Sequence, residues 1–177
     1  MSVRTIGLLS AIGLVASVVG ANYATSTWGM VPVGFGYVST AGTFIFGATL
    51  VTRDAVQDAL GKWAMWGVVL LGALVSLVVA DPAIAVASTA AFVTAEVFAW
   101  AVYTPIRNRS TFGDRRWAAA VIAAAIVGAV LDTVVFLALA FGFETVTLHA
   151  VIGQLIGKGY AVAAYLAIGA AYRRTTT

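Results

Sequence analysis

The composition of this chain is typical of a protein embedded in a lipid bilayer. Its 177 residues are 62% hydrophobic and only 10% charged, and the mean hydropathy of +1.00 excludes an ordinary soluble domain. The formal net charge is +3, but the basic residues lie beside the ends of apolar runs, so nucleic acid is not an expected partner. The absence of cysteine excludes disulfides, thiolate metal sites and a thiol nucleophile.

Six hydrophobic runs of about membrane-spanning length follow one another along the chain. The first follows Arg4 and resembles a secretory signal peptide. It is longer than a usual signal core and lacks a small-x-small cleavage site, so we expect a retained helix. The expected fold class is all-α, a single six-helix transmembrane domain over residues 1–177 with a broken second span. The predicted spans cover about residues 5–22, 34–52, 63–80, 82–103, 117–141 and 148–172.

The second run contains too many helix breakers to form one regular helix. Pro32 and several glycines, Gly34 and Gly36 among them, interrupt it. We expect a loop first and then a shorter helix that begins at about Ser39. Irregular backbone at membrane depth is tolerated only where it is buried in protein or lines a cavity. The broken second span is therefore a candidate wall of a binding site.

Turn signals separate the later runs. Asp81 followed by Pro82 is typical of an N-cap and first helical residue, which predicts a tight hairpin between the third and fourth runs. Pro105 should end the fourth run near Tyr103. A short turn at residues 142–147 leads into the sixth run.

Small residues recur at a four-residue spacing in the first and last runs. Gly7 and Ala11 are spaced for close helix contact, and the same spacing relates Gly153 to Gly157. For the glycine pair, helix packing is favoured over close approach to a ligand. The small residues of the first run are also compatible with docking another membrane subunit.

The positive-inside rule predicts the orientation of the spans. With a cytoplasmic N-terminus, nine of the ten basic residues fall on the cytoplasmic side, which favours an even number of spans and two cytoplasmic termini. These residues are Arg4, Arg53, Lys62, Arg107, Arg109, Arg115, Arg116, Arg173 and Arg174.

The tenth basic residue, Lys158, lies inside the last hydrophobic run and needs a partner. At helical rise it is about 15 Å deep, and Asp132 of the fifth run is about 14 Å deep, so we expect the two to pair. A buried ion pair that only fixes packing is the alternative to a polar ligand site, which we favour. Glu96 lies deeper, at about 21 Å, and is not simply part of this pair.

Other side chains could complete a polar site at the same depth. Gln154 lies one turn before Lys158 and shares its helix face. Asn22, Thr40 and Thr43 could face the same cavity from the outer side, or lie at the interface. Thr133 and Phe136 lie near Asp132 at helical spacing, as site residues or as ordinary packing. His149 has no second histidine or nearby acidic partner, so neither a zinc site nor a catalytic base is expected there. No metal or other cofactor is predicted.

No motif of an enzyme is present. The sequence has no nucleophile elbow, no HExxH and no glycine loop followed by Lys-Ser/Thr, so this chain alone cannot use ATP. A compact bundle with polar groups at mid-depth and a broken span indicates a small-molecule transporter, not an enzyme.

The ordered polar residues carry a family resemblance that covers about residues 22–172. The chain resembles the queuosine precursor transporter family, also called the vitamin-uptake-transporter family. The segments that carry the resemblance are Asn22-Tyr23, Thr40–Phe44, Thr52–Asp54, Ala87–Phe98 with Arg107, Arg115–Trp117, Asp132-Thr133 with Phe136, and Gln154 with Lys158.

The resemblance implies a multi-pass protein of the cell inner membrane that imports 7-deazaguanine precursors of queuosine, such as 7-cyano-7-deazaguanine. It also implies a fold similar to the substrate-binding subunits of energy-coupling-factor importers. Glu96 stands where some relatives have glutamine, and Ala99 where a polar residue is expected in others. The expected substrate-binding residues are Asn22, Thr43, Phe44, Glu96, Trp100, Asp132, Phe136, Gln154 and Lys158.

A guanine-like ligand suits these residue types. Asp132 or Glu96 can accept the ring N–H and the exocyclic amine together, and Lys158 or Gln154 can donate to the ring carbonyl. Phe44, Trp100 or Phe136 can stack on the flat base. Two alternatives stay open: the ligand-binding subunit of a multi-component vitamin importer, and a membrane assembly protein that transports nothing. A homo-oligomer and an energising membrane partner are left open as well.

Overall fold

The computed structural model describes the backbone of residues 3–109 and 115–176; some side chains within these ranges, that of Trp100 among them, lie outside the described part. Six α-helices dominate the described residues. They are α1 (Val3–Trp28), α2 (Phe46–Leu60), α3 (Lys62–Val79), α4 (Pro82–Arg107), α5 (Arg115–Phe141) and α6 (Leu148–Thr176). A hairpin of β1 (Met30–Gly34) and β2 (Tyr37–Thr40) and two 3-10 turns, Ala41–Ile45 and Phe143–Thr145, complete the fold.

Several helices have the length and apolar character of membrane spans. Within the described residues, Arg4–Trp28, Lys62–Val79 and Pro82–Ile106 are long and apolar enough to cross a bilayer, and Ile126–Phe141 is a shorter apolar stretch. Large apolar side chains on these helices face outward, as at Val78, which is 87% exposed. Such exposure is costly in water and favourable in lipid, so the chain is a membrane protein. Six spans with both termini in the cytoplasm stay a prediction.

The chain forms two compact units, of which the first comprises Met1–Val86 and Ile152–Thr177 and the second Ala87–Val151. In the first unit, glycines of α1 let α2 approach closely. A Cβ added at Gly7 would lie 2.6 Å from Cγ of Leu60, and one at Gly13 would lie 3.1 Å from Cγ2 of Thr52. The earlier residue of α1 contacts the later residue of α2, so the two helices pack antiparallel. These small residues therefore serve packing within the chain.

The broken second span is a β-hairpin followed by a 3-10 turn, where we expected a loop and then a helix from about Ser39. The strands pair antiparallel, with Val31 opposite Ser39, so their backbone groups bond each other. Gly34 and Gly36 have φ angles of 89° and 78°, which glycine adopts without strain, and Phe35 between them has 55°. The helix begins only at Phe46 and continues to Leu60. The expected start of the helix was wrong because strand pairing and the 3-10 turn use the residues before Phe46.

The boundaries of α4 test two proline predictions. The carboxylate of Asp81 accepts hydrogen bonds from the backbone N–H groups of Ala83 at 2.8 Å and Ile84 at 3.3 Å, which confirms the predicted cap before Pro82. The predicted end near Tyr103 was wrong, because α4 continues through Pro105 to Arg107. Pro105 has no N–H to donate, but the helical hydrogen bonds resume after it, because the N–H of Asn108 bonds the carbonyl of Thr104 at 3.0 Å.

In the second unit, α5 approaches α4 closely at Gly128. A Cβ added at Gly128 would lie 3.5 Å from Cβ of Ala99, so a glycine allows close contact. Thr133 is almost fully buried, and its hydroxyl donates to the carbonyl of Ala129 at 2.8 Å. The turn into α6 follows the prediction, with Gly142 at a φ of 93° and the 3-10 turn after it.

Candidate functional site

Buried polar side chains are concentrated where elements of the first unit meet. Each is less than 9% exposed, although polar groups are seldom buried without hydrogen bonds. We call this set the polar cluster. It comprises Asn22 and Thr25 of α1, Ser39 and Thr40 of β2, Thr43 of the 3-10 turn and Gln154 of α6.

A ring of hydrogen bonds joins Gln154 to two threonines. Nε2 of Gln154 donates to Oγ1 of Thr40 at 3.0 Å, and the hydroxyls of Thr40 and Thr43 lie 2.9 Å apart. Oγ1 of Thr43 donates to Oε1 of Gln154 at 2.5 Å, which closes the ring. The hydroxyl of Ser39 donates to the same oxygen at 3.0 Å. Both lone pairs of Oε1 are therefore used, and hydrogen bonds arranged in a ring strengthen one another.

Glycines on α6 allow the hairpin to lie directly against the helix. A Cβ added at Gly153 would overlap the carbonyl oxygen of Val38. One added at Gly157 would lie 2.9 Å from Oγ of Ser39 and 3.0 Å from Cγ2 of Thr43. We expected this glycine pair to serve packing, and it does, although what packs there is a strand and a 3-10 turn.

A third glycine, Gly42, has no side chain and so allows the 3-10 turn to lie close to α1. A Cβ added at Gly42 would overlap the carbonyl oxygen of Ala21 and lie 2.6 Å from Oγ1 of Thr25. The N–H of Gly42 donates to the same Oγ1 at 3.1 Å. The turn is therefore held against α1 by backbone contact and a buried hydrogen bond.

Asn22 differs from the other members of the polar cluster. It is only 3% exposed, and its Nδ2 is the one buried side-chain nitrogen or oxygen of the described residues without a hydrogen-bond partner. An unpaired buried amide N–H costs about 1–3 kcal/mol, so a protein seldom retains one without a use. Asn22 lies one helical turn before Thr25, on the side of α1 that contacts Gly42. Its amide can donate to an acceptor on a ligand.

Lys158 extends the polar face of α6 beyond Gln154. The helix buries one stripe at helical spacing, which includes Gly153, Gln154, Gly157, Lys158 and Ala161. The lysine is 7% exposed, as expected for an ammonium group that faces a protein interior. The stripe therefore carries an amide and a cation one turn apart.

The predicted site residues are divided between the two units of the chain. Asn22, Thr43, Gln154 and Lys158 are buried in the first unit, whereas Phe44 beside them is 45% exposed. In the second unit, Glu96, Asp132 and Phe136 are half-buried, and Phe136 packs edge-on against Phe141 with ring centroids 6.1 Å apart. The side chain of Trp100 lies outside the described residues. The pairing of Asp132 with Lys158, which belong to different units, stays a prediction.

Sequence reasoning missed Thr25 and Ser39 as members of the site. Ser39 could have been found from the hairpin signal, because Gly34-Phe35-Gly36 between short valine-rich runs is typical of a turn between strands. Alternation along β2 then places Ser39 and Tyr37 on one face. Thr25 carries no comparable local signal.

The polar cluster places amide and hydroxyl groups in an apolar surrounding, where hydrogen bonds are strong. Most of these groups bond one another, and among the described residues Nδ2 of Asn22 is left without a partner. Lys158 adds an ammonium group one turn beyond Gln154. No group of three His, Asp or Glu residues that could hold a metal ion occurs among the residues that the structure describes.

Comparison with known protein families gives a match over the second half of the chain. Residues 79–171, more than half of the chain, match a family described as "putative vitamin uptake transporter". The matched region contains Glu96, Asp132, Gln154 and Lys158, whereas Asn22 and Thr43 precede it. No curated protein and no solved structure matches the chain.

Proposed function

This chain belongs to the vitamin uptake transporter family, and from that premise we propose that it imports a 7-deazaguanine precursor of queuosine across the cell inner membrane. The observation that supports a transport function is the family match over residues 79–171. The finer assignment of the ligand is supported by the resemblance of residues 22–172 to the queuosine precursor transporters. A transporter family provides no reason to expect catalysis, and a small purine-like molecule is the proposed substrate.

The proposed recognition matches each polar edge of a guanine-like ligand with a side chain of complementary hydrogen-bonding type. Asp132 or Glu96 accepts the ring N–H and the exocyclic amine, a two-point contact that a carboxylate makes well. Lys158 donates to the ring carbonyl, and the unpaired amide of Asn22 donates to a further acceptor on the ligand. Phe44, Trp100 or Phe136 stacks on the base.

Restoration of queuosine in tRNA tests the proposed function in cells. Cells that can neither make nor import the precursor should regain queuosine when they express this chain and are supplied with 7-cyano-7-deazaguanine. The measurement is the queuosine content of tRNA, with an empty vector as control. Absence of queuosine despite confirmed expression in the membrane would contradict the proposal.

Uptake by the purified protein separates transport from the alternative of a binding subunit. Liposomes that contain this chain alone should accumulate the labelled precursor if it is a complete transporter. Binding without uptake would indicate the ligand-binding subunit of a multi-component importer. Absence of both would favour a membrane assembly protein.

Removal of the charged group of either Asp132 or Lys158 should reduce precursor uptake. Asp132→Ala removes a carboxylate proposed to accept hydrogen bonds from the ring N–H and the exocyclic amine of the ligand. Lys158→Met removes the buried ammonium group and keeps most of the side-chain volume. We expect each to reduce precursor binding and uptake, because a charged hydrogen bond to a ligand contributes about 1.5–3 kcal/mol. Initial uptake rates in liposomes provide the measurement.

The matched controls for these variants are Glu144→Ala and Lys62→Met, because both side chains are exposed. Both control variants should take up the precursor at nearly the same rate as the unmodified protein. If Asp132→Ala and Lys158→Met both bound and transported the precursor like the unmodified protein, the assignment of these two residues would fail.

A further inference from the structure

Gln154 was predicted to contact the ligand, but its surroundings indicate another role. Oε1 already accepts hydrogen bonds from Thr43 at 2.5 Å and Ser39 at 3.0 Å, and Nε2 donates to Thr40 at 3.0 Å. A ligand that bonded to Oε1 would have to displace one of these hydroxyls. The displaced hydroxyl would then be buried without a partner, which is unfavourable.

The space beside Gln154 is filled by the backbone of β2 and by the side chain of Ser39. On the preceding residue, Gly153, even a methyl group would overlap the carbonyl oxygen of Val38. On the next turn, a methyl group at Gly157 would lie 2.9 Å from Oγ of Ser39. No ring of purine size fits between α6 and β2 at these two turns.

The hydroxyls that Gln154 holds belong to the segment that also contacts α1. Thr40 and Thr43 flank Gly42, whose N–H bonds to Thr25 of α1 at 3.1 Å. Thr25 lies one turn from Asn22, the member of the polar cluster with an unpaired donor. The position of the 3-10 turn between α1 and α6 therefore depends on the ring formed by Gln154.

We propose that Gln154 is a positioning residue, which acts on the ligand site through Ser39, Thr40 and Thr43 by holding β2 and the 3-10 turn against α6. This inference rests on the proposed function only for its effect on uptake. The ring itself is a property of the protein without ligand.

Thermal unfolding in the absence of ligand tests the ring. Gln154→Leu should lower the Tm by several degrees, because it leaves three buried hydroxyls without their shared partner. Gln154→Glu keeps two acceptor oxygens for those hydroxyls and should lower the Tm less. Ser39→Ala should lower the Tm, whereas the matched control Ser76→Ala should change it little. Ser76 is also buried, but its hydroxyl bonds the carbonyl of Gly72 in its own helix at 2.8 Å.

A double variant measures whether Thr43 and Gln154 act together. If they share the ring, Thr43→Val combined with Gln154→Leu should lower the Tm by less than the two separate changes added together. Strict additivity would overturn the ring, whatever the chain transports. A chain that showed the coupling but took up no precursor would instead contradict the proposed function alone.

A covalent link distinguishes positioning from direct ligand contact. The chain contains no cysteine, and Cβ of Ser39 lies 3.2 Å from the Cβ that a side chain at Gly157 would have. This distance is slightly shorter than the spacing of about 3.5–4.5 Å in disulfides, so a small outward shift of β2 would allow the bond. Two variants are compared, and both contain Ser39→Cys and Gly157→Cys. One also contains Gln154→Leu, and the other keeps Gln154. Oxidation should raise precursor uptake by the first variant toward the uptake of the oxidised second variant. Reduction should reverse the gain.

A disulfide that forms without restoring uptake would overturn the positioning role. The ligand preference of Gln154→Glu provides a second test if the cysteine variant does not fold. A positioning residue leaves the ratio of affinities for 7-cyano-7-deazaguanine and guanine within about two-fold of its original value. A residue that donates to the ligand changes this ratio, because the carboxylate cannot donate.

Discussion

Gly153→Ala is expected to destabilise the protein by at least about 1–3 kcal/mol, the usual cost of overpacking a core by one methyl group. The added methyl group would overlap the carbonyl oxygen of Val38, and a strand backbone cannot move aside as a flexible side chain can. The change would separate β2 from α6 and break the hydrogen bonds to Gln154. Thermal unfolding in detergent or nanodiscs provides the measurement.

Gly159→Ala is the matched control for this change, because it lies on the same helix with no atom within 4 Å of the added Cβ. It should leave the Tm unchanged or raise it, since alanine favours a helix by up to about 1 kcal/mol over glycine. Equal stability of the two variants would show that β2 does not lie against Gly153 as described.

Asn22→Leu is expected to separate transport from stability. Precursor uptake should fall by about ten-fold or more, because the ligand loses a buried donor, while the Tm should stay unchanged or rise. The stability expectation follows because Nδ2 of Asn22 has no hydrogen-bond partner, so leucine of similar size removes an unsatisfied polar group. Uptake in liposomes and thermal unfolding of the same preparation provide the two measurements.

The control for Asn22→Leu is Gln57→Leu, which changes an exposed amide on α2. It should alter neither uptake nor stability by much. Normal uptake by Asn22→Leu would exclude this amide from the ligand site. A large fall in Tm would instead indicate that Asn22 stabilises the folded chain.

Asn22 and Gln154 are both buried amides, but they are expected to have different roles in the proposed site. Both amides are buried, at 3% and 2% exposure, so burial alone does not distinguish their roles. Their hydrogen bonds do, because Gln154 is engaged by three hydroxyls and Nδ2 of Asn22 has no partner. Variants of the first should therefore lose stability and uptake together, and variants of the second should lose uptake alone.

Local sequence signals were sufficient for the class of the protein and for many element boundaries. The apolar composition determined that the chain belongs in a membrane, because so little charge cannot cover a soluble surface. The cap at Asp81 and the turn at Gly142 follow from one residue and its immediate neighbours. The burial of Lys158 also followed, since a cation within an apolar run needs a protein interior.

The arrangement of the polar cluster was decided only by tertiary structure. Ser39 and Gln154 are 115 positions apart, and no local pattern indicates that their side chains bond. Gly153 and Gly157 predict close packing, but only the fold shows that a β-strand occupies the space. Periodicity determines which face of a helix is buried. Which backbone covers that face, and which polar group is left unpaired, depends on contacts between residues distant in the chain.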